Sequence, residues 1–88
     1  MNRITQKASA GTMESSDVYV ELEPCDRIEI TLESVVEGQF GDSIRAAAHD
    51  VLRELGVTGA RVRLVDRGAL ECVLRARLET AVLRAKGE

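Results

Sequence analysis

Three stretches of this chain alternate apolar and polar residues with a period of two, and they bound the fold. Val18, Val20 and Leu22 alternate with Tyr19, Glu21 and Glu23; Ile28, Ile30 and Leu32 alternate with Glu29, Thr31 and Glu33; Val62 and Leu64 alternate with Arg61 and Arg63. A period of two puts each apolar set on one face of a strand, so each strand needs cover on one side only. Pro24, Cys25 and Asp26 lie between the first two and have turn composition. This predicts an antiparallel hairpin with one acidic and one apolar face.

The cover comes from two stretches of helical period. Ser34-Val35-Val36-Glu37 has capping-box spacing, which predicts a helix beginning near Val35. Val36, Phe40, Ile44, Ala47, Ala48, Val51, Leu52 and Leu55 then share one helical face, and Gly56 suits a left-handed stop. Gly38 and Gly41 weaken the first turns but permit close packing on the sheet or on a partner. Asp66-Arg67-Gly68 turns the chain into a second helix over residues 69 to about 85. Its main stripe is Leu70, Leu74, Leu78, Ala81 and Ala85, with a narrower one of Cys72, Ala76 and Leu83. The order β-β-α-β-α predicts an α+β two-layer sandwich: a three-stranded, mainly antiparallel sheet with both helices on one face. The preferred strand order has the first strand at the centre and the third antiparallel to it. Residues 1–14 show no periodicity and read as a flexible N-terminal arm, leaving residues 15–88 as a single domain.

Composition narrows the function classes. A domain of 88 residues buries only part of its unfolded surface, which suits a subunit as well as a small monomer. With one Phe, one Tyr and no Trp the core must be aliphatic, and stacking platforms for single-stranded nucleic acid are missing. The net charge of −3 also argues against nucleic acid. Residues 1–44 carry 9 acidic and 3 basic groups, net −6, and residues 45–88 carry 6 acidic and 9 basic groups, net +3. That asymmetry fits two solvated faces, or an acidic hairpin and a basic helix that meets a partner or an anionic group. Cys25 and Cys72 have no metal-ligand spacing, so no metal is expected. No apolar signal region or run of membrane-spanning length is present, so a cytoplasmic protein with reduced thiols is the expectation.

Ser15 and Ser16 lie in the polar segment Ala10-Gly11-Thr12-Met13-Glu14-Ser15-Ser16-Asp17, just before the first strand. Read alone, such a segment is an ordinary polar turn. A nucleophilic serine needs a base, and the only histidine, His49, falls on the helix face opposite the apolar stripe. No catalytic residue is expected. A serine modified by another enzyme needs access and a backbone that can enter a foreign active site, and the junction of a mobile arm with a rigid strand would supply both mobility and anchoring.

The order Gly11-Thr12-Met13-Glu14-Ser15-Ser16-Asp17, followed by Val18-Tyr19-Val20, resembles the attachment site of the citrate lyase acyl carrier protein (gamma subunit) family. Val35-Val36-Glu37-Gly38-Gln39-Phe40-Gly41-Asp42 resembles that family's Gln-Phe-Gly segment. The stretch from Asp66 to Arg77 resembles its Gly-Ala-Leu and Leu-Arg-Ala-Arg segment. The likeness covers nearly the whole chain and is poorest at the extreme ends. It implies that the serine directly after Gly-Thr-x-Glu, Ser15, covalently carries 2'-(5''-phosphoribosyl)-3'-dephospho-CoA, with Ser16 the lesser candidate. It implies a non-catalytic carrier subunit. The thiol of the arm would hold acetyl, an alpha (transferase) subunit would exchange acetyl for citryl, and a beta (lyase) subunit would release oxaloacetate. A prosthetic-group transferase would install the arm, and neither cysteine would be the acyl carrier. The Asp-Ser-Leu motif of four-helix fatty-acid carriers is missing, so an ordinary phosphopantetheinyl transferase is not an expected partner. Carrier subunits of citramalate lyase or malonate decarboxylase share the arm chemistry and stay open. So does a small interaction domain whose serine is never modified. Neither nucleic acid nor membrane is an expected partner.

Arg75 and Arg77 belong to the last of these segments. Their plain reading is a Glu71–Arg75 pair at i,i+4 and an Arg77 stem lying over the edge of the core. The functional alternative has Arg77 contacting a phosphate of the arm or a carboxylate of a partner.

Overall fold

A computed structural model describes residues 3–87. It contains β1 (Ala8–Gly11), β2 (Val18–Glu23), β3 (Ile28–Ser34), α1 (Glu37–Glu54), β4 (Ala60–Asp66) and α2 (Glu71–Ala85). The α+β class is as expected, but the sheet has four strands rather than three, in the order β1-β2-β4-β3. β2 pairs antiparallel with both β1 and β4, while β3 pairs with β4 in parallel. The antiparallel pairing of β2 with β4 is as expected, but of the three expected strands it is β4, not β2, that lies at the centre.

The additional strand comes from the segment expected to be an arm. Ala8, Ser9 and Ala10 are small and carry little strand signal, yet β1 runs along β2 from Ala8 opposite Leu22 to Gly11 opposite Tyr19. The stretch before it is tied to the end of α2. Thr5 and Gln6 donate backbone hydrogen bonds to the Ala85 carbonyl, at 2.9 and 3.2 Å, and Ile4 is buried. Arg84 Nη1 in turn donates to the Ser9 carbonyl at 2.8 Å. Long-range packing, not local propensity, makes this strand. Of the expected arm, residues 1 and 2 lie outside the described residues.

The expected β2–β3 hairpin does not form, because β4 inserts between the two strands. Residues 24–27 can span about 13 Å, enough to pass one intervening strand across two spacings of ~4.8 Å. Ala60 N donates to the Arg27 carbonyl at 3.0 Å as β4 enters the gap. Inserting there gives β4 backbone partners on both edges. That suits a strand whose Ala60, Val62 and Leu64 are all fully buried. The connection β3–α1–β4 is then the helical crossover that parallel neighbours require.

Both helices cover one face of the sheet. Val18, Val20, Leu22, Val62 and Leu64 pack against Ala48, Leu52, Leu78, Ala81 and Val82 in one aliphatic core. α1 begins at Glu37, later than the capping-box spacing predicts, and Val36 is its N-cap without a side-chain cap. Ser34 Oγ instead accepts from Val36 N at 3.0 Å and donates to Asp66 Oδ2 at 2.8 Å, so it holds the β3–α1 turn against the end of β4 rather than capping the helix. Gly41 is buried near Leu32, while Gly38 faces open space. α2 begins at Glu71; Leu70 leaves the expected stripe, and Val82 joins it. Arg75 makes the expected pair with Glu71 at 3.0 Å and also reaches Asp50 of α1 at 3.4 Å, linking the two helices. The other face of the sheet is charged: Arg61 of β4 forks onto Glu23 and Glu29 at 3.1 Å each, which holds the Glu29 carboxyl below its usual range. Among the described residues no helix is long and apolar enough to cross a membrane.

Candidate functional site

Ser15 and Ser16 form the outer corner of the β1–β2 turn, and both are exposed. The turn is closed from inside. Asp17 N donates to the Glu14 carbonyl at 3.1 Å, Thr12 Oγ1 accepts from Glu14 N at 3.2 Å, and Thr12 Oγ1 donates to Asp17 Oδ2 at 2.7 Å. Asp17 Oδ1 also accepts from Val18 N at 2.7 Å. The Ser15 hydroxyl takes no part in these bonds and points its chemistry outward.

The turn is also fixed from behind by two elements distant in sequence. Ser16 N donates to the Arg67 carbonyl at 2.8 Å, and Arg67 N donates to the Asp17 carbonyl at 2.9 Å, so the β2–β4 ladder continues to the foot of the turn. From α2, Arg77 Nε and Nη2 donate to Asp17 Oδ1 and Oδ2, each at 3.1 Å. This is the two-pronged guanidinium–carboxylate geometry, which fixes orientation as well as distance. The Asp17 side chain is only 13% exposed and Arg77 42%. The Thr12 hydroxyl, the Arg77 guanidinium and the Val18 amide together hold the Asp17 carboxyl at about 2, below its ordinary 3.8.

Two backbone conformations complete the turn. Ser16 has φ +65°, a left-handed value uncommon for a residue with a side chain. Gly11 has φ +86°, and a Cβ there would overlap the Val18 carbonyl oxygen and lie 3.3 Å from Arg77 Cδ. Only glycine lets the turn close and leaves room for the Arg77 stem.

Arg67 joins the turn to a second feature. Its neighbour Asp66 is buried, accepting from Ser34 Oγ at 2.8 Å and from Ala69 N at 3.0 Å. Asp66 lies in the wall of an apolar groove of about 340 Å³ between the start of α1 and the start of α2, with Val36, Phe40, Ile44, Leu70 and Leu74. Phe40 and Leu70 remain 47% and 71% exposed there.

The structure therefore brings three of the sequence candidates, Ser15, Ser16 and Arg77, to one corner. His49 is exposed on α1, which packs on α2 and β3 rather than on the serine turn. Cys25 and Cys72 are both free thiols. Among the described residues no group of His, Cys, Asp or Glu is arranged to hold a metal ion. Sequence reasoning missed Gly11, Thr12, Asp17 and Arg67 as parts of the site. A signal existed for three of them, since Gly-Thr and Asp bracketing a short polar stretch are turn-forming residues. Nothing local announces the Arg67 backbone.

An exposed hydroxyl on a rigid corner, with no base beside it, suits a residue on which another enzyme acts. Comparison with known proteins gives the family. Residues 5–85 match the acyl carrier protein family described as malonate decarboxylase delta subunit (MdcD). The citrate lyase acyl carrier protein of Haemophilus influenzae is 50% identical over 86 residues, covering 98% of this chain and 90% of that one. That of Escherichia fergusonii is 54% identical over 84 residues, covering 93% and 87%. That of Albidiferax ferrireducens is 50% identical over 88 residues, covering 98% and 90%. The chain belongs to this acyl carrier protein family. A crystal structure of a Pseudomonas malonate decarboxylase hetero-tetramer in complex with malonate contains a chain of the same fold, with TM-score 0.81 at 23% identity, covering 93% of this chain and 86% of that one.

Proposed function

We propose that this protein is the acyl carrier subunit of citrate lyase, and that Ser15 bears the phosphoribosyl-dephospho-CoA arm. One observation carries the assignment to this turn: Ser15, like Ser16, is exposed at a corner that Thr12, Asp17 and Arg77 hold, and its place directly after Gly-Thr-x-Glu favours it over Ser16. Curated relatives at about half identity, all named as citrate lyase acyl carrier proteins, carry the assignment of the complex. The residues present fit a covalently attached arm: a free hydroxyl on a surface corner forms an ester without disturbing the core. When attached, the arm supplies a terminal thiol on which acyl groups ride as thioesters.

The protein itself breaks no bond of the substrate. Its part is to hold the attachment point at a fixed place on a compact body, so that acyl transfer between partner active sites becomes an intramolecular event at high effective concentration. The partners on this reading are the alpha (transferase) and beta (lyase) subunits and the enzyme that installs the arm, in the cytoplasm. The thiols of Cys25 and Cys72 are not needed. Arg77, turned to Asp17, acts on the arm through the turn. A carrier subunit of malonate decarboxylase is the second reading, favoured by the family description and the shared fold.

Intact mass after coexpression with arm-synthesis and arm-transfer enzymes tests the assignment. The expected result is one arm increment, located on Ser15 by peptide fragmentation and lost in Ser15→Ala. An unmodified mass beside a modified control carrier refutes it. Reconstitution with citrate lyase or malonate decarboxylase large subunits then separates the two complexes by which one turns over its substrate.

A further inference from the structure

Two adjacent exposed serines pose a selection problem: an enzyme that esterifies one of them must be offered the right one. We propose that Arg77 and Asp17 form a positioning clamp that fixes the serine turn, presents Ser15 to the modifying enzyme and keeps Ser16 from taking its place. The inference rests on the reading of Ser15 as the attachment site, and adds which residues set the fidelity and rate of that attachment.

Four observations converge on the clamp. Arg77 comes from α2, 60 residues away, and meets both carboxylate oxygens of Asp17 at 3.1 Å. A stem serving only to cover the core would not need both prongs engaged. Asp17 passes the constraint into the turn through Thr12, at 2.7 Å, and through its own Val18 amide, at 2.7 Å. Ser16 is held in a left-handed conformation with its amide spent on the Arg67 carbonyl. That conformation is costly for a residue with a Cβ and persists only where the surroundings impose it. Finally, Gly11 clears the path of the Arg77 stem, since a Cβ there would lie 3.3 Å from Arg77 Cδ.

The consequence is geometric. With the clamp closed, Ser15 and Ser16 have different backbone conformations, and a partner active site meets one defined corner. With it open, the short stretch between Glu14 and Asp17 can relax out of the left-handed conformation. The two hydroxyls then become interchangeable, and the productive pose is one of several. Neither residue touches the reacting atoms; both act through the turn.

The test uses the full chain and two readouts. On the unmodified protein, hydrogen exchange at the Ser16 and Arg67 amides is compared between wild type, Arg77→Gln and Asp17→Asn. The expectation is exchange faster by about 10-fold or more at those two amides, with the Val62 and Leu64 amides unchanged. On the same proteins, the rate of arm transfer is measured and the adduct located by fragmentation. Arm-transfer kcat/KM falls on the order of 10- to 100-fold, as for a displaced reacting group, and part of the adduct appears on Ser16. The double variant is no worse than either single one, because the two residues act as a pair. Arg77→Lys, which keeps the charge and loses the fork, lies between. Folded variants that keep wild-type exchange, rate and exclusive Ser15 modification overturn the clamp while leaving the carrier reading intact. Independent, additive losses in the double variant overturn it as well. A wild-type protein that is never modified removes the selection role, and the exchange data alone then decide whether the clamp holds the turn.

Discussion

Gly11→Ala is the sharpest test of how the serine turn is built. Three separate terms act at this position. A side chain at φ +86° costs about 1–2 kcal/mol because Cβ crowds the following carbonyl in left-handed backbone. The new Cβ also overlaps the Val18 carbonyl oxygen across the β1–β2 ladder. Relieving that overlap moves backbone, which adds about 1–3 kcal/mol as in other overpacked sites. Replacing glycine also narrows the unfolded ensemble and returns about 0.4–1 kcal/mol. Gly68 is the internal control: its φ is +90°, yet a Cβ there meets nothing within 4 Å. Gly68→Ala carries the first and third terms and lacks the second. Urea unfolding of both variants therefore isolates the overlap as a difference of about 1–3 kcal/mol. At 4–8 °C per kcal/mol for a domain of this size, Gly11→Ala melts roughly 4–24 °C below Gly68→Ala. Equal losses at the two positions would falsify the claim that the turn closes only because residue 11 has no side chain.

Three further outcomes are expected. The Asp17 carboxyl, followed by carbon NMR against pH, titrates near 2. Its contribution to stability is then complete above the unfolded value of about 3.9 and disappears as pH falls through the folded value; a midpoint at 3.8 or above means that Thr12 and Arg77 do not hold it. Gly38→Ala, on an exposed turn of α1 with nothing near its would-be Cβ, raises stability by up to about 1 kcal/mol in thermal unfolding, and a loss there contradicts the open space. Asp66→Ala strips partners from Ser34 Oγ and Ala69 N and lowers stability by roughly 2–6 kcal/mol at about 1–3 per unpaired group; a change below about 0.5 would place it with ordinary surface substitutions.

The elements that were legible in the sequence are those whose burial is one-sided and strong. Val18, Val20 and Leu22, or Ala47, Ala48, Val51 and Leu52, declare a face through their spacing, and each is buried. β1 declares nothing, because Ala8, Ser9 and Ala10 are too small to show alternation. Its existence depends on Arg84, on the Ala85 carbonyl and on the edge of β2. The insertion of β4 between β2 and β3 was likewise hidden. Residues 24–27 suit a tight hairpin and a split one equally, and what decides is the need of Val62 and Leu64 for neighbours on both edges. The apolar spacing of Phe40 and Leu70 misled in the opposite sense, since both stay exposed beside the groove.

The site divides along the same line. The exposure of Ser15 was legible, because a polar stretch before a strand is reachable; its proposed role came from the resemblance of its segment, not from the residues alone. Its support was not, because the support is tertiary. Asp17 reads as one more acidic residue of an acidic half, and Arg77 as one more basic residue of a basic half, until the fold sets them 3.1 Å apart. The charge asymmetry of the chain thus has a local meaning at this corner: an acid at the foot of the turn meets a base of the last helix. β1 has a meaning here too. With a loose arm before residue 15, the serine would swing on a tether. With β1 paired to β2, Gly11 and Thr12 are fixed on one side of the turn and Asp17 and Val18 on the other. The corner then inherits the rigidity of the sheet. On the proposed reading, in which Ser15 bears a long and flexible arm, a rigid attachment point confines the search to the arm, which keeps the effective concentration at each partner site high.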